Sequence, residues 1–251
     1  MIRFLLSVLL LIASLLPARA AEAGTTNLTA ETILARVLAN RPLKDFSLKA
    51  RLFVTRDDPR FMDLLIKNLP TETRTIFRSG KTELLSIQPV HGISRLFLRG
   101  TGELTGTQRM ESLTGSHFHF YDLSLPFLHW SNPKLITKED RVRGRNCFTI
   151  EATATNEPYA RVKMWIDQEF YGFLRAEAYN ADGDTVKRFA VTSFKHLGDY
   201  WIPRSIEVAT VPPGQSLPAE ERSRLEIYEG NYDTKLPEEL FLPEKFGAAK
   251  P

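Results

Sequence analysis

The sequence predicts a mainly β domain built as a long antiparallel meander, and three observations carry that expectation. Apolar and polar residues alternate with period two through about a dozen separate runs. The connections between the runs are short and turn-rich, with no βαβ rhythm. One amphipathic helix precedes them all. A sheet of that many strands usually curls or closes instead of staying flat.

Residues 1–20 read as a targeting segment and are set aside from the fold. Arg3 supplies a short basic start, Phe4 to Leu16 is apolar apart from Ser7 and Ser14, and Pro17 breaks the run. Ala18-Arg19-Ala20 then offers small residues at the −3 and −1 positions of a signal-peptidase site. At about thirteen residues, the apolar run falls short of the ~20 that a bilayer-spanning helix needs. Cleavage after Ala20 leaves one domain, 21–251, expected to be exported and soluble in the periplasm. No cysteine follows the cleavage site, so the mature chain is not expected to be lipidated there.

Leu28 and Ile33 are spaced as a hydrophobic staple around Thr29 as N-cap. Ile33, Leu34, Val37 and Leu38 form one apolar stripe, and Asn40-Arg41-Pro42 ends the helix. Phe46, Leu48, Ala50, Leu52 and Val54 then share one strand face. Further runs follow at 60–68, 72–79, 82–89 and 94–98, with Ser79-Gly80-Lys81 and Val90-His91-Gly92 as turns. A second block occupies 134–142, 146–154, 160–167, 173–180, 185–194, 202–210 and 223–232. Asn180 to Asp184 is a hairpin turn, because Asp182-Gly183 tolerates positive φ. Asp57-Asp58-Pro59 reads as another turn, and Val211 to Glu221, with three prolines, as a long hairpin loop. Several strands are apolar on both faces, Leu52 and Phe53 among them, so the sequence leaves open which face is concave.

Between about Gly100 and Asn132 the alternation lapses. Gly100, Gly102, Gly106 and Gly115 make the first half loop-like, whereas His117 to Trp130 is dense in aromatics. A loop with that much apolar surface either plugs the core or covers a ligand space. The segment as a whole is read as a movable plug, with Phe118, Phe120, Leu123, Leu125, Phe127, Leu128 and Trp130 as its ligand-facing residues.

The formal charge of +3 falls to about +1 once Arg3 and Arg19 leave, and no basic run interleaved with aromatics follows. That argues against nucleic acid as a partner. No second apolar stretch reaches bilayer length, so the mature chain is not expected to span a membrane. Cys147 is the single cysteine; it excludes an internal disulfide and, in the strand-like Asn146 to Ile150, reads as a buried structural residue.

Catalytic and metal chemistry find little support. His117 and His119 would share one side of a strand, with His129 near, but only Asp122 could join them as a ligand. Ser116, His117 and Asp122 are triad types without a nucleophile elbow. Asp182-Gly183-Asp184 lacks the spacing of a calcium loop. No catalytic residue, metal or cofactor is assigned.

A resemblance rests on motifs that fall in a set order. These are Tyr121-Asp122-Leu123-Ser124, then Arg143-Gly144-x-x-Cys147-Phe148-Thr149-Ile150-Glu151, then Lys163-Met164-Trp165-Ile166-Asp167. Glu177-Ala178-Tyr179 with Asp182-Gly183, Val186-Lys187 and Trp201-Ile202-Pro203 come after them. Over about residues 29 to 246 the chain resembles the outer-membrane lipoprotein-sorting protein family, the LolA-like group related to the LolA and LolB carriers. The resemblance implies an unclosed antiparallel β-barrel, a half-barrel with an N-terminal helix and a helical or loop lid over its concave face. It implies a periplasmic carrier that shields the acyl chains of a lipoprotein or lipid. Its partners would be an inner-membrane transporter and an outer-membrane acceptor. Two other readings compete: a lipid-sensing adaptor that docks to a membrane transporter complex, and a hydrolase using His117, Asp122 or His129.

Overall fold

The computed structural model describes residues 28–54, 58–212 and 221–247. The signal-peptide reading, the proline-rich part of the 211–221 loop and the first residue of the Asp57 turn lie outside them.

The chain opens with helix α1, Ala30–Ala39. Thr29 caps it as the spacing predicts: its hydroxyl accepts from the Thr32 backbone N–H at 3.3 Å, and Thr32 Oγ1 accepts from the Thr29 N–H at 3.0 Å. The reciprocal bonds satisfy two N–H groups the first turn would otherwise leave bare. Ile33 and Leu34 are buried, and Asn40 ends the helix. Its far end docks on the sheet through Asn40 Nδ2, which donates to the Phe170 carbonyl at 2.7 Å, and through Arg36 stacked over Tyr171.

The strands are β1 Phe46–Val54, β2 Arg60–Asn68, β3 Glu72–Ser79, β4 Thr82–Pro89, β5 Arg95–Leu98, β6 Gly102–Glu103, β7 Lys134–Val142, β8 Arg145–Thr153, β9 Arg161–Asp167, β10 Phe173–Tyr179, β11 Thr185–Leu197, β12 Tyr200–Thr210 and β13 Ser223–Tyr232. All join one antiparallel sheet in the order β6-β5-β4-β3-β2-β1-β13-β12-β11-β10-β9-β8-β7. The first and last strands meet in the middle, with Leu52 opposite Leu225 and Phe46 opposite Tyr232. The two outer strands, β6 and β7, do not pair with each other, so the barrel stays open. This is the half-barrel that the family resemblance implies, built from the antiparallel meander the alternation predicts.

The strand order decides where the middle segment goes. β6 and β7 are consecutive in sequence yet lie at opposite edges, so residues 104–133 must cross a face of the sheet. The face they cross is the one bearing Phe46, Leu48, Ala50, Leu52 and Val54, and α1 covers it too. That settles the question Leu52 and Phe53 left open. Leu52 is fully buried beneath helix and lid, whereas Phe53 lies on the other face under the guanidinium of Arg224.

The outer face has smaller cores of its own. Two 3₁₀ turns, Glu238–Phe241 and Pro243–Phe246, lay Phe241 and Phe246 on Ile76, Leu85, Ile87 and Phe97. Cys147 is buried with Trp165 and Leu174, and burial pushes its thiol pKa up, away from a reactive thiolate. The Asn180 turn forms as expected, with Gly183 at φ +90° and the Asp184 N–H donating to Asn180 Oδ1 at 2.8 Å. Among the described residues, no helix is long and apolar enough to cross a membrane.

Candidate functional site

The site is the layer between the crossing segment and the inner face of the sheet. The segment has almost no regular structure of its own. A single bridge pairs Ser112 with His119 around a tight turn, where Thr114 and Gly115 take positive φ. Two 3₁₀ turns follow, Tyr121–Ser124 and Pro126–His129, joined by Leu125 in the left-handed region at φ +42°. A β-branched or bulky residue at positive φ is held there by its surroundings. Pro126 fixes the start of the second turn.

Apolar packing holds the second turn. Phe127 has no exposed surface, and its ring lies 5.8 Å from Phe189, 6.1 Å from Phe173 and 6.5 Å from Trp130 between centroids. Phe118 and Phe120 are buried in the same core, while Leu123, Leu125, Leu128 and Trp130 pack on it half-buried. The seven residues named from the sequence therefore all line this layer.

A polar cluster that the sequence did not assemble holds the first turn. Asp122 and Lys187 of β11 form an ion pair at 2.8 Å, each side chain about 1% exposed. The other carboxylate oxygen of Asp122 accepts from the Tyr159 hydroxyl at 2.6 Å, and the His119 backbone N–H donates to the first at 2.9 Å. Lys187 Nζ also lies 3.0 Å from His119 Nδ1. Burial lowers the Lys187 pKa, and the nearby Asp122 charge opposes it. Burial first and Lys187 second hold His119 and His117 below the usual imidazole range, which favours their neutral forms. Burial above all drives the Tyr159 hydroxyl well above the phenol range, so it stays a donor. Breaking a buried pair by removing one partner typically costs 3–5 kcal/mol, so this is a strong local anchor.

Weaker ties flank it. The His117 N–H donates to Ser223 Oγ at 2.9 Å, Gln88 Nε2 reaches the Leu123 carbonyl at 3.4 Å, and the Tyr121 hydroxyl donates to Glu157 at 2.9 Å. The constellations considered for catalysis are not brought together. Ser116 Oγ bonds within its own turn, His117 Nδ1 accepts from the Thr210 N–H, and Asp122 is taken up by Lys187 and Tyr159. Burial first, and nearby His91 second, lower the His129 pKa. Among the described residues, no three His, Cys, Asp or Glu side chains converge as metal donors.

Sequence reasoning missed Lys187 and Tyr159 as site residues. One signal was present: Lys187, Phe189 and Val191 alternate onto the same face of β11. A lysine on a core face needs a buried partner.

A cavity of about 140 Å³ lies where α1 meets the lid, lined by Val37, Leu38, Thr73, Gln88, Leu128 and His129. Ligand pockets usually run to about 300–1,000 Å³, so this cavity admits an acyl chain only if the lid side chains move. A roomier groove, about 430 Å³, mixes arginines, Arg141, Arg175 and Arg188 among them, with apolar Leu174, Phe189 and Val208.

The fold has relatives among solved structures. It is similar to a DUF1329 family protein from Desulfovibrio piger (15% identity, 86% of this chain and 97% of that one, TM-score 0.72). It is similar to a domain described as that of an outer membrane lipoprotein-sorting protein from Vibrio parahaemolyticus (17% identity, 84% and 95%, TM-score 0.71). A LolA superfamily protein from Nitrosomonas europaea follows, at 18% identity, 86% and 98% coverage and a TM-score of 0.55. At these identities the likeness is one of fold. No curated protein matches the chain in sequence. Residues 98–247, more than half of the chain, match the profile of a family whose description reads "Uncharacterized protein". The chain belongs to that family, and its fold is LolA-like.

Proposed function

We propose that this protein is a periplasmic carrier or binding protein that shields acyl chains of a lipid or lipoprotein between the sheet and the segment 117–130. The observation that carries the reading is the aromatic crossing segment, which buries Phe118, Phe120 and Phe127 on the inner face of an open sheet. It fills the volume that a chain would take, and a small cavity already lies beside it at α1.

The energetics suit reversible loading. Burying an acyl chain of about sixteen carbons is worth on the order of 12 kcal/mol at ~0.8 kcal/mol per CH₂. A carrier must release its load, so most of this has to be offset. Each large lid side chain that loses its burial when the chain enters gives back roughly 1.5–3 kcal/mol. Phe118, Phe120, Phe127 and their half-buried neighbours supply that exchange, and it needs no catalytic residue.

The test is mass spectrometry of lipid extracted from gently purified protein, with a fluorescent fatty-acid titration of the delipidated chain. Stoichiometric acyl lipid with saturable binding is the expected result. Absence of both would refute the carrier reading. Export is tested separately: the mature N-terminus is expected at Ala21, in the soluble periplasmic fraction. Intact mass and fractionation decide it, and a membrane-bound product retaining Phe4 to Leu16 would overturn it.

A further inference from the structure

We infer that the ligand taken under the lid carries an anionic head, a carboxylate or phosphate, and that Lys187 receives it in the place Asp122 now holds. The inference rests on the carrier reading above and names its substrate class.

Lys187 projects from β11 into the covered layer, on the same strand face as Phe189. Among the described residues its polar contacts are Asp122 Oδ2 and His119 Nδ1, and both belong to the crossing segment. Lifting that segment to admit a chain therefore removes every partner from an ammonium that is about 1% exposed. A neutral amphiphile would leave the charge facing hydrocarbon, which is strongly unfavourable. An anionic amphiphile replaces what was lost.

The remaining donors are already set for such a head. Tyr159 lies in the β8–β9 connection, not in the crossing segment, so its hydroxyl stays when the lid leaves. Asp122 now spans the two sheet-side donors, one oxygen 2.8 Å from Lys187 Nζ and the other 2.6 Å from the Tyr159 oxygen. A fatty-acid carboxylate has the same two-oxygen geometry, and a phosphate head presents an equivalent pair. In the closed protein, Asp122 is thus a stand-in for the ligand's own head, and ligand and lid compete for one cradle. The apolar surface beside it, with Phe127 and Phe189 in contact, is where the tail would begin.

The experiment is calorimetric titration of the delipidated wild type at neutral pH with laurate, dodecyl phosphate and dodecanol, each below its aggregation concentration. The expected result is that both anions bind at least tenfold tighter than the alcohol. The tighter of the two tells whether the natural head is a carboxylate or a phosphate. In Lys187→Met the anion-to-alcohol ratio is expected to fall towards one, and in Lys187→Arg to be kept. Equal affinity of the wild type for all three would overturn the inference and leave the carrier reading standing. A ratio retained in Lys187→Met would place the head elsewhere and also overturn it. Binding of none of the three would sink the carrier reading itself. Should Lys187→Met fail to fold, the wild-type comparison still decides.

Discussion

Replacing Asp122 by Ala is expected to destabilise the protein by about 3–5 kcal/mol, because Lys187 is left buried without a counter-charge. For a chain of this size, that is roughly a 6–20 °C drop in Tm. Tyr159 loses its acceptor at the same time, and a buried unsatisfied hydroxyl adds about 1–3 kcal/mol at most. The loss should depend on pH. Burial already lowers the Lys187 pKa and Asp122 opposes that shift, so the variant keeps only the lowering influence. The folded variant then binds fewer protons than its unfolded chain between the lowered Lys187 pKa and the ordinary lysine value of 10.5. Stability in that window rises with pH, and the deficit against wild type shrinks on the alkaline side. Chemical denaturation at several pH values reads this directly. The double variant Asp122→Leu with Lys187→Met should recover much of the loss, since an apolar pair of similar volume replaces both charges. A single variant as stable as wild type at neutral pH would mean that the ion pair does not anchor the lid.

The second large effect concerns the aromatic half of the lid. Phe127→Ala with Trp130→Ala removes one fully buried and one half-buried ring from the layer. A buried Phe→Ala alone costs roughly 3–5 kcal/mol. If these rings fill the space that an acyl chain takes, the loss falls on the closed, empty form. The apo Tm should then drop by several degrees, while affinity for a fluorescent fatty acid rises by tenfold or more. A ligand shifts a two-state lid only by its differential affinity for the two states, so the two readings separate cleanly. Equal destabilisation with and without lipid, at unchanged affinity, would mark 117–130 as ordinary core. Melting curves and titrations on wild type and double variant give the comparison.

These two effects also mark the line between what the sequence shows and what it conceals. The strand pattern was legible because alternation is local: Phe46 to Val54 declares its buried face without reference to any other strand. The cap at Thr29 and the turn at Gly183 are local too, and both form as read. The two-residue strand Gly102–Glu103 is too short to alternate, and it is assigned only through its pairing with β5. Phe241 and Phe246 lie in a segment without periodicity, and their place on the outer face depends on strands that come far earlier in the chain. The aromatic insertion was visible as composition, which was enough to single out its seven apolar residues. Its anchor was not, because Asp122, Tyr159 and Lys187 come from three separate stretches of chain and meet only when β6 and β7 take opposite edges. Tyr159 in particular follows a polar turn and carries no pattern of its own.

The strand order also has a consequence for how the chain folds. Every strand pairing but one joins neighbours in sequence; the exception is β1 with β13. Two ladders of local hairpins, β1–β6 and β7–β13, are thus separated by a single closure between the beginning and the end of the domain. Hairpins form within microseconds, whereas distant pairings bear the loop-closure entropy before any contact rewards it. Zipping Phe46–Val54 against Ser223–Tyr232 is therefore the expected slow step. The crossing segment has nothing to pack on until that seam has closed, so its amides should be the last to gain protection in pulse-labelled hydrogen exchange and the first to lose it on unfolding. The region assigned here to ligand exchange is then also the last to be ordered, because its anchor between Asp122 and Lys187 forms only after the seam.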